Sequence, residues 1–240
     1  MTGGLELKKI KRTGFVPAFL VGGFLAACIP VLQTAVRREV FIHLEGKPVK
    51  ILMDANWQMM AMLNILLIVA GACLLYHMEY ADNAIQRMCT LPLKESRMFF
   101  GKFILMCFIC LGMIVIEGLG AAFCALYWFE PLAGQVWEVA KNFGYGFVLL
   151  VPAVLLALLI SSACKNMWIS LGIGVICVFV ASMFPTDHFA LSLFPFAMPF
   201  QIFAGTAKTT LQSYLMAAAA ESVAGIGVSI LFLKVRRLLA

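Results

Sequence analysis

Residues 142–184 read NFGYGFVLLVPAVLLALLISSACKNMWISLGIGVICVFVASMF, which is two long apolar runs separated by Cys164-Lys165-Asn166. Lys165 is the only charged residue in this stretch. Each run is close to the roughly 20 residues that cross a hydrocarbon core as an α-helix. The stretch therefore predicts two membrane spans joined by a tight turn, and a single long kinked helix is the alternative.

The composition extends this interpretation to the whole chain. Hydrophobic residues make up 63% of the 240 residues and charged residues 12%, against about 45–50% and about 25% in an ordinary soluble domain. A soluble fold has too little interior to bury so much apolar surface. We therefore predict an all-α integral membrane protein that forms one membrane domain over residues 1–240, with six transmembrane helices at 14–36, 57–76, 103–129, 142–163, 167–184 and 211–233.

The distribution of basic residues predicts the orientation of these spans. With six spans both termini lie on one side, and twelve lysines and arginines fall on that side against six on the other. Cytoplasmic segments of membrane proteins carry the excess of positive charge, so both termini are predicted to be cytoplasmic. The positive charge fits anionic phospholipid, whereas a nucleic-acid site would need a basic patch interleaved with stacking aromatic residues, and none occurs.

Two segments next to the spans have the pattern of short amphipathic helices. Residues 1–13 alternate apolar and basic residues before the first span, as in an interfacial helix. In the cytoplasmic segment 78–102, an apolar stripe with helical spacing is expected to end at Leu91-Pro92; it consists of Ala81, Ala84, Ile85 and Met88. This helix either rests on lipid headgroups or docks on a cytoplasmic partner.

Residues 185–208, here called the connector, are unusually apolar for a segment between spans. Five phenylalanines lie in it, and Pro195 and Pro199 prevent one continuous helix. One interpretation is a broken re-entrant segment, whose short helical pieces dip back into the bilayer and are buried against protein. The other is an interfacial loop anchored by its phenylalanines.

Pairs of small residues four positions apart predict where spans pack closely. Such pairs are Ser170 and Gly174 in the fifth predicted span and Ala220 and Ala224 in the sixth. Packing within one chain is the usual role of such pairs, and a seam between two subunits is the alternative.

No catalytic motif is present in the sequence. A phosphate-binding Gly-x-x-x-x-Gly-Lys-Ser/Thr loop is missing, and the three histidines are scattered, so no metal or cofactor is expected in this chain. Two carboxylates, Glu117 and Glu221, lie near the centres of the third and sixth predicted spans, where a charge is costly. They either line a translocation path or are neutral acids hydrogen-bonded between helices, and the sequence leaves both readings open.

The layout resembles a known family of transporters. The opening Glu6-Leu-Lys-Lys-Ile-Lys-Arg-Thr13, the Thr90-Leu91-Pro92-Leu93 core of the cytoplasmic segment and Gly101-Lys102 at the next span are similar to permease subunits of type 2 ABC exporters. The N-terminal match and the length resemble the lantibiotic-immunity branch of that family in particular.

This resemblance implies a mechanism and a set of partners. Two permease subunits, identical or related, would pair with two cytoplasmic ATPase subunits that bind ATP and Mg, and the cargo would be an amphipathic antimicrobial peptide expelled from the bacterial plasma membrane. The residues that would couple the permease to the ATPase are Glu79, Asp82, Asn83, Arg87, Leu91 and Pro92. The alternatives are an ATP-independent secondary transporter or channel that uses Glu117 and Glu221, and a membrane scaffold without a pathway.

Overall fold

The computed structural model describes residues 14–42, 44, 46–81, 95–129, 134–185 and 188–239. Within these residues it is helical and contains no strand. The α-helices in chain order are α1 (Phe15–Val36), α2 (Arg38–Ile42), α3 (Pro48–Ala81), α4 (Glu95–Tyr127), α5 (Gln135–Ala163), α6 (Met167–Ser182), α7 (Phe189–Ser192) and α8 (Lys208–Leu239). A 3₁₀ turn at Met198–Phe200 precedes α8.

Five of these helices, α1, α3, α4, α5 and α8, are long and apolar enough to cross a membrane. They coincide with the first, second, third, fourth and sixth predicted spans. The fifth predicted span is α6, an apolar helix of 16 residues. At 1.5 Å per residue its length is about 24 Å, which is less than the hydrocarbon thickness of about 30 Å.

The break between α5 and α6 lies where the sequence predicts it. α5 ends at Ala163 and α6 begins at Met167. The Asn166 side chain accepts a hydrogen bond of 2.9 Å from the backbone N–H of Trp168, as a residue that caps a new helix does. The two helices are therefore separate, and the alternative of one kinked helix is wrong.

Two helices extend well beyond the apolar runs that predicted them. α3 begins at Pro48, nine residues before the run at 57–76, so residues 48–56, which lie between the first two predicted spans, are helical. α3 continues to Ala81 and α4 begins at Glu95, so both ends of the segment 78–102 belong to the flanking helices. An apolar run indicates only the part of a helix that lies in the hydrocarbon core. The helix itself continues beyond that run until a residue breaks it.

The centre of the bundle is formed by α3 and α5. In the most apolar stretch of each of these two helices, 61% of the residues are buried inside the protein. The corresponding share is 39% for α1 and α4 and 11% for α8. α1 packs along α4, α6 packs against α3, and α8 lies along α5. α8 is therefore the peripheral helix of this chain.

α1 and α4 approach each other closely at two glycines. A Cβ atom on Gly23 would lie 2.9 Å from the Met113 side chain, and one on Gly120 would lie 2.8 Å from the Cβ of Ala27. Small residues allow such close approach of membrane helices, where packing rather than hydrophobicity drives association. The close contact between α1 and α4 therefore depends on glycine, which has no side chain, at positions 23 and 120.

Gly120→Ala is expected to destabilise the protein. The new methyl group would overlap Ala27, and overpacking of this kind costs about 1–3 kcal/mol. Gly112→Ala is the matched control, because apart from the backbone of its own helix no atom of the described residues lies within 4 Å of a Cβ there. This variant should be neutral or stabilising by up to about 1 kcal/mol. Thermal unfolding in detergent measures both, and equal unfolding temperatures would contradict the close contact.

Of the two small-residue pairs, one marks a contact within the chain. Gly174 of α6 faces Val69 of α3, and Ser170 lies 3.2 Å from the Sγ of Cys73. The predicted close approach of this helix is therefore confirmed. Ala220 and Ala224 are exposed on α8, so that pair does not mark a buried contact between helices of this chain.

Candidate functional site

The predicted coupling residues fall mostly outside the described part of the chain. Glu79 belongs to the last turn of α3, while residues 1–13 and Asp82, Asn83, Arg87, Leu91 and Pro92 lie outside the described residues. The helix ends that flank the segment are held together. Lys102 of α4 is 1% exposed, and its ammonium lies 4.9 Å from the centre of the Tyr76 ring of α3, a cation–π contact between the two helices.

Glu117 is fully buried and connects α4 to α3. Its Oε2 accepts a hydrogen bond of 2.9 Å from the Nδ2 of Asn64. Its Oε1 and the Oδ1 of Asn64 are also buried, and no donor in the described part of the chain reaches either. A protonated carboxyl group carries one O–H donor, whereas a carboxylate has none. A neutral Glu117 is therefore the better partner for the Oδ1 of Asn64, which is an acceptor. The geometry favours the interpretation of a hydrogen bond between helices.

Glu221 has a different environment from Glu117. It is half-buried on α8, and its Oε2 is shielded from solvent without a hydrogen-bond partner in the described part of the chain. No hydrogen bond joins the two carboxyl groups among the described residues; the bond of Glu117 goes to Asn64. The structure therefore gives these two residues separate surroundings.

The connector is held by polar contacts to the two central helices. The Oδ1 of Asn142, on α5, accepts hydrogen bonds from the backbone N–H groups of Phe203 (3.0 Å) and Ala204 (3.1 Å). The indole N–H of Trp57, on α3, donates to the carbonyl oxygen of Pro199 at 2.9 Å. An irregular segment in an apolar environment must satisfy its backbone groups within the protein, and these two side chains do so.

The middle of the connector is buried. Its short pieces are α7 and the 3₁₀ turn, and Phe196, Met198 and Phe200 are at most 7% exposed. The 3₁₀ turn packs against α3 and α5, as the first of the two interpretations of this segment expects. Three of the four residues of α7, in contrast, are exposed.

The two ends of the bundle carry separate polar contacts. At one end Arg236 of α8 donates to the carbonyl oxygen of Ser162, near the C-terminus of α5, at 2.8 Å. At the other end Lys47 forms an ion pair of 3.2 Å with Glu138 at the start of α5. An arginine at a helix C-terminus bonds a carbonyl group that the helix leaves unpaired, so Arg236 fixes α8 to α5.

Sequence reasoning missed Asn64 and Asn142. Each is an amide inside or at the edge of a charge-free run, Asn64 in 57–76 and Asn142 in 142–163. A polar side chain in a membrane span usually faces protein and finds a partner there. That signal would have identified both residues as packing positions, although not their partners.

These features define a multi-pass helical membrane protein, and in its described residues no group of three or more metal-binding side chains occurs. Residues 4–181 match the family model described as ABC-2 family transporter protein. The match covers most of the chain, and the chain therefore belongs to this family, whose members are membrane components of ABC transporters. Neither the curated proteins nor the solved structures that were compared with it gave a match.

Proposed function

We propose that this chain is the permease subunit of an ATP-driven exporter in the bacterial plasma membrane, and that its cargo is an amphipathic antimicrobial peptide. The family match over residues 4–181 carries the proposal. The sequence contains no phosphate-binding loop, so ATP and Mg would be bound by a dimer of cytoplasmic subunits. The lantibiotic-immunity assignment rests on the N-terminal segment and the length.

The proposal includes six spans with both termini in the cytoplasm. α6 would be the fifth span despite its 16 residues, because the apolar residues that follow it would complete the crossing before the connector dips back into the bilayer as a re-entrant segment. The twofold excess of basic residues supports the orientation. A reporter at either terminus that is accessible from outside intact cells would exclude it.

Coupling to the ATPase would occur through the segment between α3 and α4. The Lys102–Tyr76 contact holds these two helices together close to the segment, so a displacement of the segment would move both helices as one unit. Such a unit is what a closing ATPase dimer needs in order to shift the packing of the spans. A second permease subunit, identical or related, would complete the pathway.

Reversal of the charges at Asp82 and Arg87 tests this role. Asp82→Lys with Arg87→Glu keeps the net charge and leaves the apolar stripe of the segment unchanged. If the segment docks on an ATPase, mismatched charges across the interface cost up to several kcal/mol. We expect co-purification with an ATP-binding subunit of the native host, and resistance to the peptide, to fall by at least about tenfold.

A charge swap at the other end of the bundle is the matched control. Lys47→Glu with Glu138→Lys preserves an exposed ion pair that lies far from the segment, and it should leave both readouts unchanged. Normal association and normal resistance in the Asp82/Arg87 variant would contradict the coupling role. Proton-driven peptide transport by the purified chain alone in liposomes would contradict the proposed function and support a secondary transporter.

A further inference from the structure

A cavity of about 780 Å³ opens between the first turns of α3, the end of the connector and the first turns of α8. Its volume falls within the range of about 300–1,000 Å³ that is typical of small-molecule sites. Much of its wall is polar. The uncharged polar side chains that line it are Gln201, Thr206, Thr209, Thr210, Ser213 and Tyr214.

Two opposite charges face this cavity from one side of α3. Lys50 and Asp54 both line it, and four residues along a helix correspond to about 6 Å along its axis. In the described part of the chain neither side chain forms an ion pair or a hydrogen bond. Among the described residues the cavity therefore offers one unpaired cation and one unpaired anion, on exposed side chains four residues apart in α3.

The position of Lys50 is supported by a turn of the connector. Gly205 has a φ of 84°, and a Cβ there would lie 2.8 Å from the Cδ and Cε atoms of Lys50. A side chain at this position would be strained by the backbone and would overlap the lysine stem. The absence of a side chain at Gly205 therefore leaves room for the aliphatic part of Lys50. The ammonium group of Lys50 lies at the cavity.

The spacing along α3 places the cavity at the outer edge of the lipid headgroup layer. Lys50 and Asp54 precede the apolar run that starts at Trp57 by seven and three residues, which places them about 10 Å and about 4–5 Å beyond it along the helix. The headgroup layer adds roughly 5–7 Å on each side of the hydrocarbon core, so the backbone of Asp54 falls within this layer and that of Lys50 about 3 Å beyond it. Trp137, 64% exposed at the same end of the bundle, is typical of this interface.

We propose that this cavity binds the headgroup of a zwitterionic phospholipid with a primary amine, that is, an ethanolamine phosphate. The phosphate accepts hydrogen bonds from Lys50 and from the hydroxyls of Thr209 and Thr210, and the ammonium group donates to Asp54. The hydroxyl of Thr206 already donates to the carbonyl oxygen of Ile202. The rings of Phe189 and Tyr214, 5.2 Å apart, together with Phe200 form an apolar wall for the glycerol part. An anionic lipid or a free phosphate leaves Asp54 without a cation.

Lipid retention by the purified chain tests the proposal. The protein is placed in nanodiscs that contain equal amounts of phosphatidylethanolamine, phosphatidylglycerol and phosphatidylcholine, and the lipids that stay bound are counted by native mass spectrometry. Phosphatidylethanolamine should be retained preferentially. Lys50→Ala should lower its retention by about tenfold, the effect of one hydrogen bond to a charged group. Asp54→Asn should abolish the preference over phosphatidylglycerol.

Lys47→Ala is the matched control, because Lys47 lies at the same end of the chain, pairs with Glu138 and does not line the cavity. Retention by this variant should equal that of the unchanged protein. Lys50→Arg, which keeps the charge, should retain the lipid if Lys50→Ala fails to fold. Because both faces of a nanodisc are accessible and no ATPase is present, the result is independent of the proposed exporter function and orientation.

Several outcomes would overturn the assignment. Equal retention of the three lipids, or unchanged retention in Lys50→Ala and Asp54→Asn, would show that the headgroup does not bind here. Soluble ethanolamine phosphate should compete with the lipid, and release by inorganic phosphate at the same concentration would assign the cavity to a free anion instead. Binding of a cationic peptide that depends on Asp54 but not on Lys50 would assign it to a peptide.

Discussion

Asn142→Leu is expected to release the end of the connector from the helical bundle. Asn142 is fully buried, and its Oδ1 is the acceptor for the backbone N–H groups of Phe203 and Ala204. A buried donor that loses its acceptor costs about 1–3 kcal/mol. Leucine has a similar volume but no acceptor, so two such groups lose their partner at once.

Hydrogen exchange of the connector measures this effect. We expect exchange at residues 203 and 204 to accelerate by about ten- to a hundredfold, which corresponds to about 1.4–2.7 kcal/mol. The unfolding temperature should fall as well. Gln212→Leu removes an amide that is exposed on α8 and serves as the matched control. Unchanged exchange at residues 203 and 204 in Asn142→Leu would contradict the proposed role of Asn142 in holding the connector.

The second large effect is expected at Glu117. Glu117→Leu leaves the Asn64 amide in an apolar environment with no partner in α4. Hydrogen bonds between membrane helices contribute about 0.6–1.7 kcal/mol, so the variant should lose about 1–2 kcal/mol of stability. Glu117→Gln should retain full stability, because its amide both accepts from Nδ2 and donates to Oδ1 of Asn64.

A double variant separates the lost hydrogen bond from the lost side chain. Asn64→Leu with Glu117→Leu removes both partners, and replacement of both by apolar groups can be nearly neutral. We therefore expect the double variant to be more stable than Glu117→Leu alone in unfolding by detergent titration. If Glu117→Gln is stable but loses peptide resistance, the carboxyl group has a role in transport beyond its contact with Asn64.

The family match and the two buried polar contacts describe different properties of the chain. Membership of the ABC-2 family assigns the chain to the membrane component of a transporter, which does not itself hydrolyse ATP. The Glu117–Asn64 and Asn142 contacts are two of the buried polar contacts that join separate parts of the described bundle.

The amino-acid sequence by itself determined the class of the protein and the positions of its long helices. Apolar runs near 20 residues require helices in lipid, because only a helix satisfies its backbone within one segment. The break between α5 and α6 at Asn166 could also be predicted from the sequence, because helices are capped and ended by local residues.

The tertiary structure alone decided which faces of these helices meet. In a membrane span apolar residues occupy every side, so the hydrophobic pattern does not indicate which face points inward. The partners of Glu117 and Asn142 lie 53 and 61 or 62 residues away in sequence. No local rule connects positions at that distance, and the rotation of each helix, which sets these contacts, follows only from the packing of the whole bundle.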